Sequence, residues 1–534
     1  MFYSARLSFL AWSKEWVGPL FASASCYGLL WAANPPRQTP EAAYIFLFPV
    51  LIWFHFQPNF KKFLLCIFLS GLIYQFAMVG WIRHVSFGGM CATASILSCY
   101  HAIWFAFARL WYPHFSNGTL SVRLLYIVAL SALWVAIEWA RTLFTLGFPW
   151  CPLSVTQWER PVLLQTTFFT GGWAVSFFLI FFNLCLGSYL HHLVVRRRCA
   201  GGFLARSVCP ELYLGILLLF LMVYPYFLKL NTFSPNGDKT IRVGICQPYL
   251  TNKWQEGRAM EHKEILRKQT QFLAMADADL ILWPEASTPY PLNLDRLWAE
   301  ELARQVGIPI LAGSVIREED TSYNAMVYID PLEGISPEWY AKQVLVPFGE
   351  YVPWPFNYLS GLKKLIGPVG NFSAGDHCIL FNLPIKEGNS TTFVRAGLLI
   401  CYEDIFPAIS RIAVDRGAEL LIVSTNNAWF KEEGCAEQHA AHSVMRAVEN
   451  NIPVVRCGNA GWSGLIDENG IIRDVLKDEH ESVYFQGASV MEVPIPSARL
   501  DQSTSMGDRF AYLCCFLFIA VGLFFHLGAP RQRE

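Results

Sequence analysis

Three short strings in this chain carry residue types that can do chemistry together: Trp283-Pro284-Glu285, Lys342 with Pro347-Phe348-Gly349-Glu350 after it, and Cys401-Tyr402-Glu403-Asp404. A carboxylate, an ammonium and a thiol follow one another at separations of 57 and 59 residues. Only the thiolate of a cysteine attacks, and a free thiol has a pKa near ~8.5, so it needs a base or a positive field. Glu285 can accept the thiol proton, Lys342 can balance the pair and stabilise an oxyanion beside a backbone N–H after Cys401, and Glu350 is a second carboxylate near the lysine. Singly each signal is weak, because a Cys in an apolar strand is ordinarily structural and an isolated Glu or Lys ordinarily solvated. Jointly, in this order and spacing, they read as base, cation and nucleophile.

The elements that must position these residues are short. Glu285 follows the apolar run Leu280 to Trp283, and Cys401 ends the run Gly397 to Ile400 just before a helix expected near Pro407, so its thiol should sit on a strand-to-turn corner. Between Thr240 and Val493 further β-branched runs occur at Ile241 to Cys246, Pro309 to Gly313, Ala325 to Ile329, Thr392 to Ile400, Leu420 to Val423, Pro453 to Arg456 and Ser463 to Ile466. Helical stretches at Glu256 to Met275, Leu294 to Gln305 and Glu437 to Asn450 separate them, an alternation that reads as α/β. His439 and His442 lie three apart on the last of these helices, but no third ligand motif or Cys pair accompanies them, so they read as packing residues and no metal is expected.

Outside that stretch the chain is greasy. Of 534 residues 54% are hydrophobic and 16% charged, which points to a membrane protein, and a net charge of −1 excludes a nucleic-acid partner that needs phosphates neutralised. Apolar runs at about 16–34, 43–57, 63–82, 92–112, 120–140, 164–190, 212–228 and 510–527 are candidate spans, the second of them short. The first has Trp16, Trp31 and Pro35-Pro36 at its flanks and no small-residue cleavage site, so it is expected to stay in the mature protein. Basic residues at Arg6 and Lys14, Lys61-Lys62, Arg196-Arg197-Arg198 with Arg206, and Arg531 with Arg533 all fall on one side if there are eight spans. The expected division is therefore 1–228 with seven spans, 229–509 extracytoplasmic, and 510–534 as the last span with a cytoplasmic tail. Most of the fifteen cysteines lie in apolar segments; the outer part holds Cys246, Cys378, Cys401, Cys435 and Cys457, an odd number too sparse for a disulfide scaffold.

The Glu-Lys-Cys order resembles the triad of the nitrilase superfamily. Almost the whole chain resembles its membrane-embedded branch, the bacterial apolipoprotein N-acyltransferases, through Ala132-Leu133-Trp134-Val135-Ala136-Ile137-Glu138 to Arg141, Gly147-Phe148-Pro149-Trp150, Ser424-Thr425-Asn426-Asn427-Ala428-Trp429-Phe430 and the span layout. The resemblance implies a multi-span α-helical membrane domain joined to an extracytoplasmic nitrilase-like αββα sandwich, no cofactor, and residence in the inner membrane of a bacterium with the catalytic domain periplasmic. It implies that Cys401 takes an acyl chain from a phospholipid, commonly phosphatidylethanolamine, as a thioester, and passes it to the α-amine of the diacylglyceryl-cysteine of an apolipoprotein. Glu285, Lys342 and Cys401 would be catalytic, with Glu350, Tyr402 and Glu403 supporting. Trp254 and Trp429 resemble substrate-contacting tryptophans, and packing is their alternative role. Asn427 stands where the family commonly has Asp, and Lys431 where it usually has Gly, which bears on loop conformation.

Two features stay open at this level. The segment 346–375, with Tyr351, Trp354, Phe356, Tyr358, Leu359, Leu362 and Ile366 beside Lys363-Lys364, is either a lid that dips toward lipid or a loop packed on its own domain. Glu138 and Arg141, at the end of the fifth span, are either site residues or an i, i+3 ion pair closing a helix. Rival functions are a membrane-anchored amidase with water as the acceptor, and a lipid-binding protein on a dead nitrilase scaffold.

Overall fold

The computed structural model describes residues 13–37, 39–143, 147–196, 208–232, 239–251, 257–354, 370–387, 390–496 and 506–527. The chain forms two compact units, one of residues 1–80, 89–228 and 505–534, the other of 81–88 and 229–504.

The first unit is helical. Among the described residues six helices are long and apolar enough to cross a membrane: Phe60–His84, Phe87–Asn117, Leu120–Leu143, Trp173–Leu193, Pro210–Leu228 and Asp508–Leu527. The first two expected spans differ. Gly18–Ala33 is a helix of 16 residues. The 43–57 run breaks into a 3-10 turn Pro40–Tyr44 and a helix Phe48–Phe54, each opened by a proline that interrupts the hydrogen-bond ladder. The run expected at 164–190 is also divided, because Gly171 takes φ 66° and the continuous helix begins at Trp173. Buried Asn183 is satisfied internally, as lipid demands: it donates to the carbonyls of Ala43 and Leu179 at 2.8 Å each and accepts from Leu47 N at 3.0 Å.

The second unit is an αββα sandwich of two six-stranded sheets. The first holds β1 (Lys239–Gln247), β2 (Leu280–Trp283), β3 (Ile310–Glu318), β4 (Thr321–Asp330), β5 (Gly334–Ala341) and, at its other edge, β12 (Gly487–Ile495), in the order β12-β1-β2-β3-β4-β5. The second holds β6 (Leu380–Glu387), β7 (Ser390–Ile400), β8 (Leu420–Asn426), β9 (Val454–Asn459), β10 (Gly464–Ile466) and β11 (Ile472–Val475), in the order β11-β10-β9-β8-β7-β6. At the centre of each sheet three strands run parallel, β1-β2-β3 and β7-β8-β9.

Strand periodicity sorts the side chains into layers. Ile241, Val243 and Ile245 of β1 and Leu280 and Leu282 of β2 meet Val394, Ala396, Leu398 and Ile400 of β7 in one core between the sheets. Ile281 and Trp283 point the other way, into a second core under the helices Ala259–Met275 and Leu297–Val306. The helices Pro407–Asp415 and Cys435–Asn450 cover the second sheet. The five cysteines of this unit are all free. Unforeseen in the sequence is the short segment 81–88, which belongs to this unit although it falls between two membrane helices: Trp81 Nε1 donates to Gln438 Oε1 at 3.2 Å, and the Trp81 ring meets Phe430 edge-on with centroids 4.5 Å apart.

Candidate active site

Parallel strands deliver the chain to the carboxyl edge of a sheet, where open α/β folds commonly bind ligands. Glu285 follows β2, Lys342 follows β5 and Cys401 follows β7, so three ends from two sheets converge. Glu285 and Lys342 are 6% and 1% exposed, which makes their pairing obligatory. Lys342 Nζ lies 2.9 Å from Glu350 Oε1 and 3.3 Å from Glu285 Oε1. Asn324, on β4, donates through Nδ2 to the same two oxygens at 2.9 and 2.7 Å, and Val346 N donates to Glu350 Oε2 at 2.8 Å. Burial alone pushes the Lys342 ammonium down, but Glu350 and Glu285, with Cys401 behind them, outweigh it and hold the group above the ordinary lysine range.

Cys401 takes φ 51°, a left-handed conformation that costs a residue with a Cβ about 1–3 kcal/mol. It stands between the extended β7 and the 3-10 turn Cys401–Ile405, a corner like the strained nucleophile turns of other enzymes. Ala286, next to Glu285, and Phe348, two before Glu350, are also left-handed, at φ 45° and 62°. Burial and then the Glu285 charge push the Cys401 thiol up to about 12, while Lys342, Thr425 and the Asn426 backbone pull it back. The resting sulfur is therefore a thiol, and its proton must leave as it reacts.

Glu403 ties the corner to the lysine. Its Oε2 accepts from Ile400 N at 2.6 Å and Tyr340 Oη at 2.9 Å, and its Oε1 from Gln343 N at 2.5 Å and Val344 N at 3.2 Å. Both ends of the carboxylate face donors, so an amide there must set an NH2 against another donor. Glu403→Gln is expected to lower stability by about 1–3 kcal/mol and to slow turnover, both readable from thermal unfolding in detergent and an activity assay; unchanged values in both would remove Glu403 from this role.

Asp404 anchors the other side of the turn. It holds Arg456 Nη1 at 2.5 Å and accepts from Ser443 Oγ at 2.7 Å, and His439 Nε2 sits 2.8 Å from its Oδ1 and 3.0 Å from the Cys401 carbonyl. Burial pushes Asp404 up, but His439 and Arg456 reverse this and hold it well below the usual carboxylate range. His439, expected from sequence as a packing residue, thus also meets the Cys401 carbonyl.

A glycine sets the position of Glu285. A Cβ built on Gly313 of β3 would fall 2.3 Å from the Pro284 carbonyl oxygen and 2.8 Å from Glu285 Cα, both backbone atoms that cannot swing away. Gly313→Ala is expected to cost about 1–3 kcal/mol and to reduce turnover by displacing Glu285. A variant with wild-type melting and turnover would show that the strand shifts freely.

The other expected site residues are dispersed. Tyr402 is buried with its ring edge-on to Phe406 at 5.3 Å. Trp429 is half exposed on the turn Ala428–Phe430, and Asn427 is buried, its Oδ1 accepting from Thr425 Oγ1 at 3.0 Å. Trp254 lies outside the described residues, as does the 355–369 half of the 346–375 loop; of its apolar side chains Trp354 is exposed. Glu138 and Arg141 belong to the helical unit and are both buried. Rather than pairing with each other, Glu138 Oε1 accepts from Trp134 Nε1 and Leu153 N at 2.8 and 2.7 Å, and Arg141 Nη2 donates to the Trp150 carbonyl at 2.5 Å. Sequence reasoning missed Asn324, and its one signal was a polar residue leading an apolar strand.

Two facing sheets with a carboxylate, a lysine and a cysteine at their converging edges define a carbon-nitrogen hydrolase domain, and the model of the family described as carbon-nitrogen hydrolase matches residues 242–494. The model of the apolipoprotein N-acyltransferase N-terminal domain matches residues 28–185. An apolipoprotein N-acyltransferase of Geobacter metallireducens is 31% identical over 73% of this chain and 72% of its own length, and one of Chlorobaculum tepidum is 25% identical over 99% of both. Among solved structures, an amidase from Nesterenkonia sp. is 17% identical and aligns with a TM-score of 0.36 over 50% of this chain and 94% of its own. The chain belongs to the apolipoprotein N-acyltransferase family, as a multi-pass membrane protein carrying a carbon-nitrogen hydrolase domain.

Proposed function

We propose that this protein transfers an acyl chain from a phospholipid to the N-terminal α-amine of a diacylglyceryl-cysteine lipoprotein, with Glu285, Lys342 and Cys401 as the reacting set. The observation that carries the roles is the buried Lys342 between Glu285 and Glu350, at 3.3 and 2.9 Å, electrostatically coupled to a thiol on a strained turn. Glu285 takes the Cys401 proton as sulfur attacks the ester carbonyl of the lipid. The oxyanion forms against the Lys342 ammonium and the N–H that follows Cys401. Collapse breaks the acyl C–O bond, Glu285 returns the proton to the glycerol oxygen, and a lysophospholipid leaves. In the second half the free α-amine attacks the thioester, Glu285 accepts an amine proton, and the C–S bond breaks, so that the proton returns to sulfur and an amide remains. Glu350 and Asn324 keep Lys342 charged and aimed throughout.

We assign phosphatidylethanolamine as donor, because its acyl ester is an abundant bacterial carbonyl of the kind the thiol must attack. We assign residues 229–509 to the periplasmic side of the inner membrane from the distribution of Lys and Arg; the seven-before, one-after count requires that the 16-residue helix Gly18–Ala33 and the broken segment 40–54 each cross beside the five longer helices. Trp429, Trp254, Glu138 and Arg141 are candidate substrate contacts in this reading, and Tyr402 supports the nucleophile. Water is the competing acceptor, and transfer requires that it be kept from the thioester. With acyl-labelled phosphatidylethanolamine and a diacylglyceryl-cysteine peptide, lysophospholipid and N-acyl peptide are expected in equal amounts with little free fatty acid. Fatty acid matching lysophospholipid, with the peptide untouched, would make the protein a hydrolase.

A further inference from the structure

The helical unit holds a second cluster of reactive side chains that acyl transfer does not use. His192 near the end of the helix Trp173–Arg196, Cys209 just before the helix Pro210–Thr232, and Glu211 in its first turn bring Nε2, Sγ and a carboxylate oxygen within 4.8 Å of one another. They are 4%, 0% and 0% exposed. Glu211 Oε2 lies 3.3 Å from Cys209 Sγ and 3.4 Å from His192 Nε2.

The His192 spacing suits coordination better than a direct hydrogen bond, while the 3.3 Å Cys209 contact fits either an S–H···O bond or a shared ion. An N–H···O bond usually spans about 2.7–3.2 Å, and His192 Nε2 finds no hydrogen-bond partner although it is buried. Ligand atoms about 2.0–2.3 Å from a tetrahedral ion are separated by about 3.3–3.7 Å. The other carboxylate oxygen is already held: Arg123 Nε donates to Glu211 Oε1 at 2.5 Å, and Arg123 Nη1 to the Gly118 carbonyl at 2.9 Å. Ligating carboxylates are commonly fixed by such outer partners.

We propose that His192, Cys209 and Glu211 form a binding site for one borderline divalent transition metal, of which Zn2+ is the natural ion. A nitrogen, a sulfur and one carboxylate oxygen favour zinc over magnesium or calcium, which take oxygen sets. On binding, the Cys209 thiol loses its proton to solvent, and the ion is held by thiolate, carboxylate and neutral imidazole, with water as fourth ligand. The two negative ligands neutralise the ion, and Arg123 stays outside the coordination sphere on the far oxygen. The ion would pin the ends of two successive membrane helices to the helix Leu120–Leu143 that carries Arg123. The catalytic residues lie in the other unit and share no ligand with this site.

The test uses full-length protein purified in detergent, exposed to Zn2+, desalted and assayed for bound metal. Wild type and Cys401→Ala are expected to retain about one ion per chain, the latter showing that the catalytic thiol is not the ligand. His192→Ala and Cys209→Ser are expected to retain at least tenfold less. Loading wild type with Co2+ decides the matter even if those variants fold poorly: tetrahedral d–d bands with a thiolate-to-metal charge-transfer band support the site. No retained Zn2+ in wild type, equal retention in all four proteins, or a Co2+ spectrum without thiolate charge transfer would overturn it.

Discussion

Purified Cys401→Ala protein is expected to gain no mass on incubation with phosphatidylethanolamine, where wild type should gain one acyl chain that hydroxylamine removes. Turnover should fall on the order of 10^5-fold or more, since losing a nucleophile removes the covalent route altogether. Alanine keeps the Cβ, so the left-handed φ of 51° is as strained as before and folding should be little altered. The same adduct should also be lost in Glu285→Gln, even though the thiol is present. Burial and the neighbouring carboxylate raise that thiol to about 12, so little thiolate exists at neutral pH and the proton must pass to a base during attack. A labile adduct that persists in Cys401→Ala would move the nucleophile elsewhere; one that forms at the wild-type rate in Glu285→Gln would remove Glu285 as base.

Lys342→Met should be the most damaging change that leaves the thiol in place. It strips the cation from between Glu285 and Glu350, two buried carboxylates that also accept from the Asn324 amide and, at Glu350, from Val346 N–H. Two carboxylates so placed cannot both ionise cheaply, so one takes a proton and the base is compromised together with the oxyanion partner. A loss of about 10^3-fold or more is expected, given that one oxyanion donor alone is worth about 10^2–10^3.

Breaking a buried ion group also costs about 3–5 kcal/mol. The pH dependence separates this from generic damage. In wild type the folded Lys342 ammonium is held above its unfolded value, so its stabilisation is complete below the unfolded lysine pKa of about 10.4 and is lost only in alkali. From pH 5 to 8 this group leaves the melting temperature unchanged. Wild type should therefore lose melting temperature in alkali by a step that Lys342→Met lacks. Near-wild-type turnover, or the same alkaline step in the variant, would contradict the arrangement.

How far the residues alone reach can be seen strand by strand. The eight strands legible as β-branched or apolar runs, β1 to β4 and β7 to β10, occupy the interiors of the two sheets, where both faces are covered and the sequence must be apolar. The four that were not legible, β5, β6, β11 and β12, are the four sheet edges. Edge strands tolerate polar side chains and prolines, and Pro337, Pro384 and Pro494 lie in three of them. Lys342 follows such an edge, which is why only its neighbouring string, and not a strand, marked it.

Membrane character, the α/β alternation and the Glu285, Lys342 and Cys401 set were determined by the sequence, because hydropathy, periodicity and functional-group chemistry are properties of residue type and order. Tertiary structure decided what depends on distance. Asn324 had to be brought against two carboxylates, Glu403 against backbone donors from two strand ends, and His439 against the Cys401 carbonyl 38 residues away. The segment 81–88 was drawn into the α/β unit across the intervening residues 89–228. A buried hydrogen bond or ion pair is set by where two strand or helix ends meet, and no local pattern in the chain encodes that meeting.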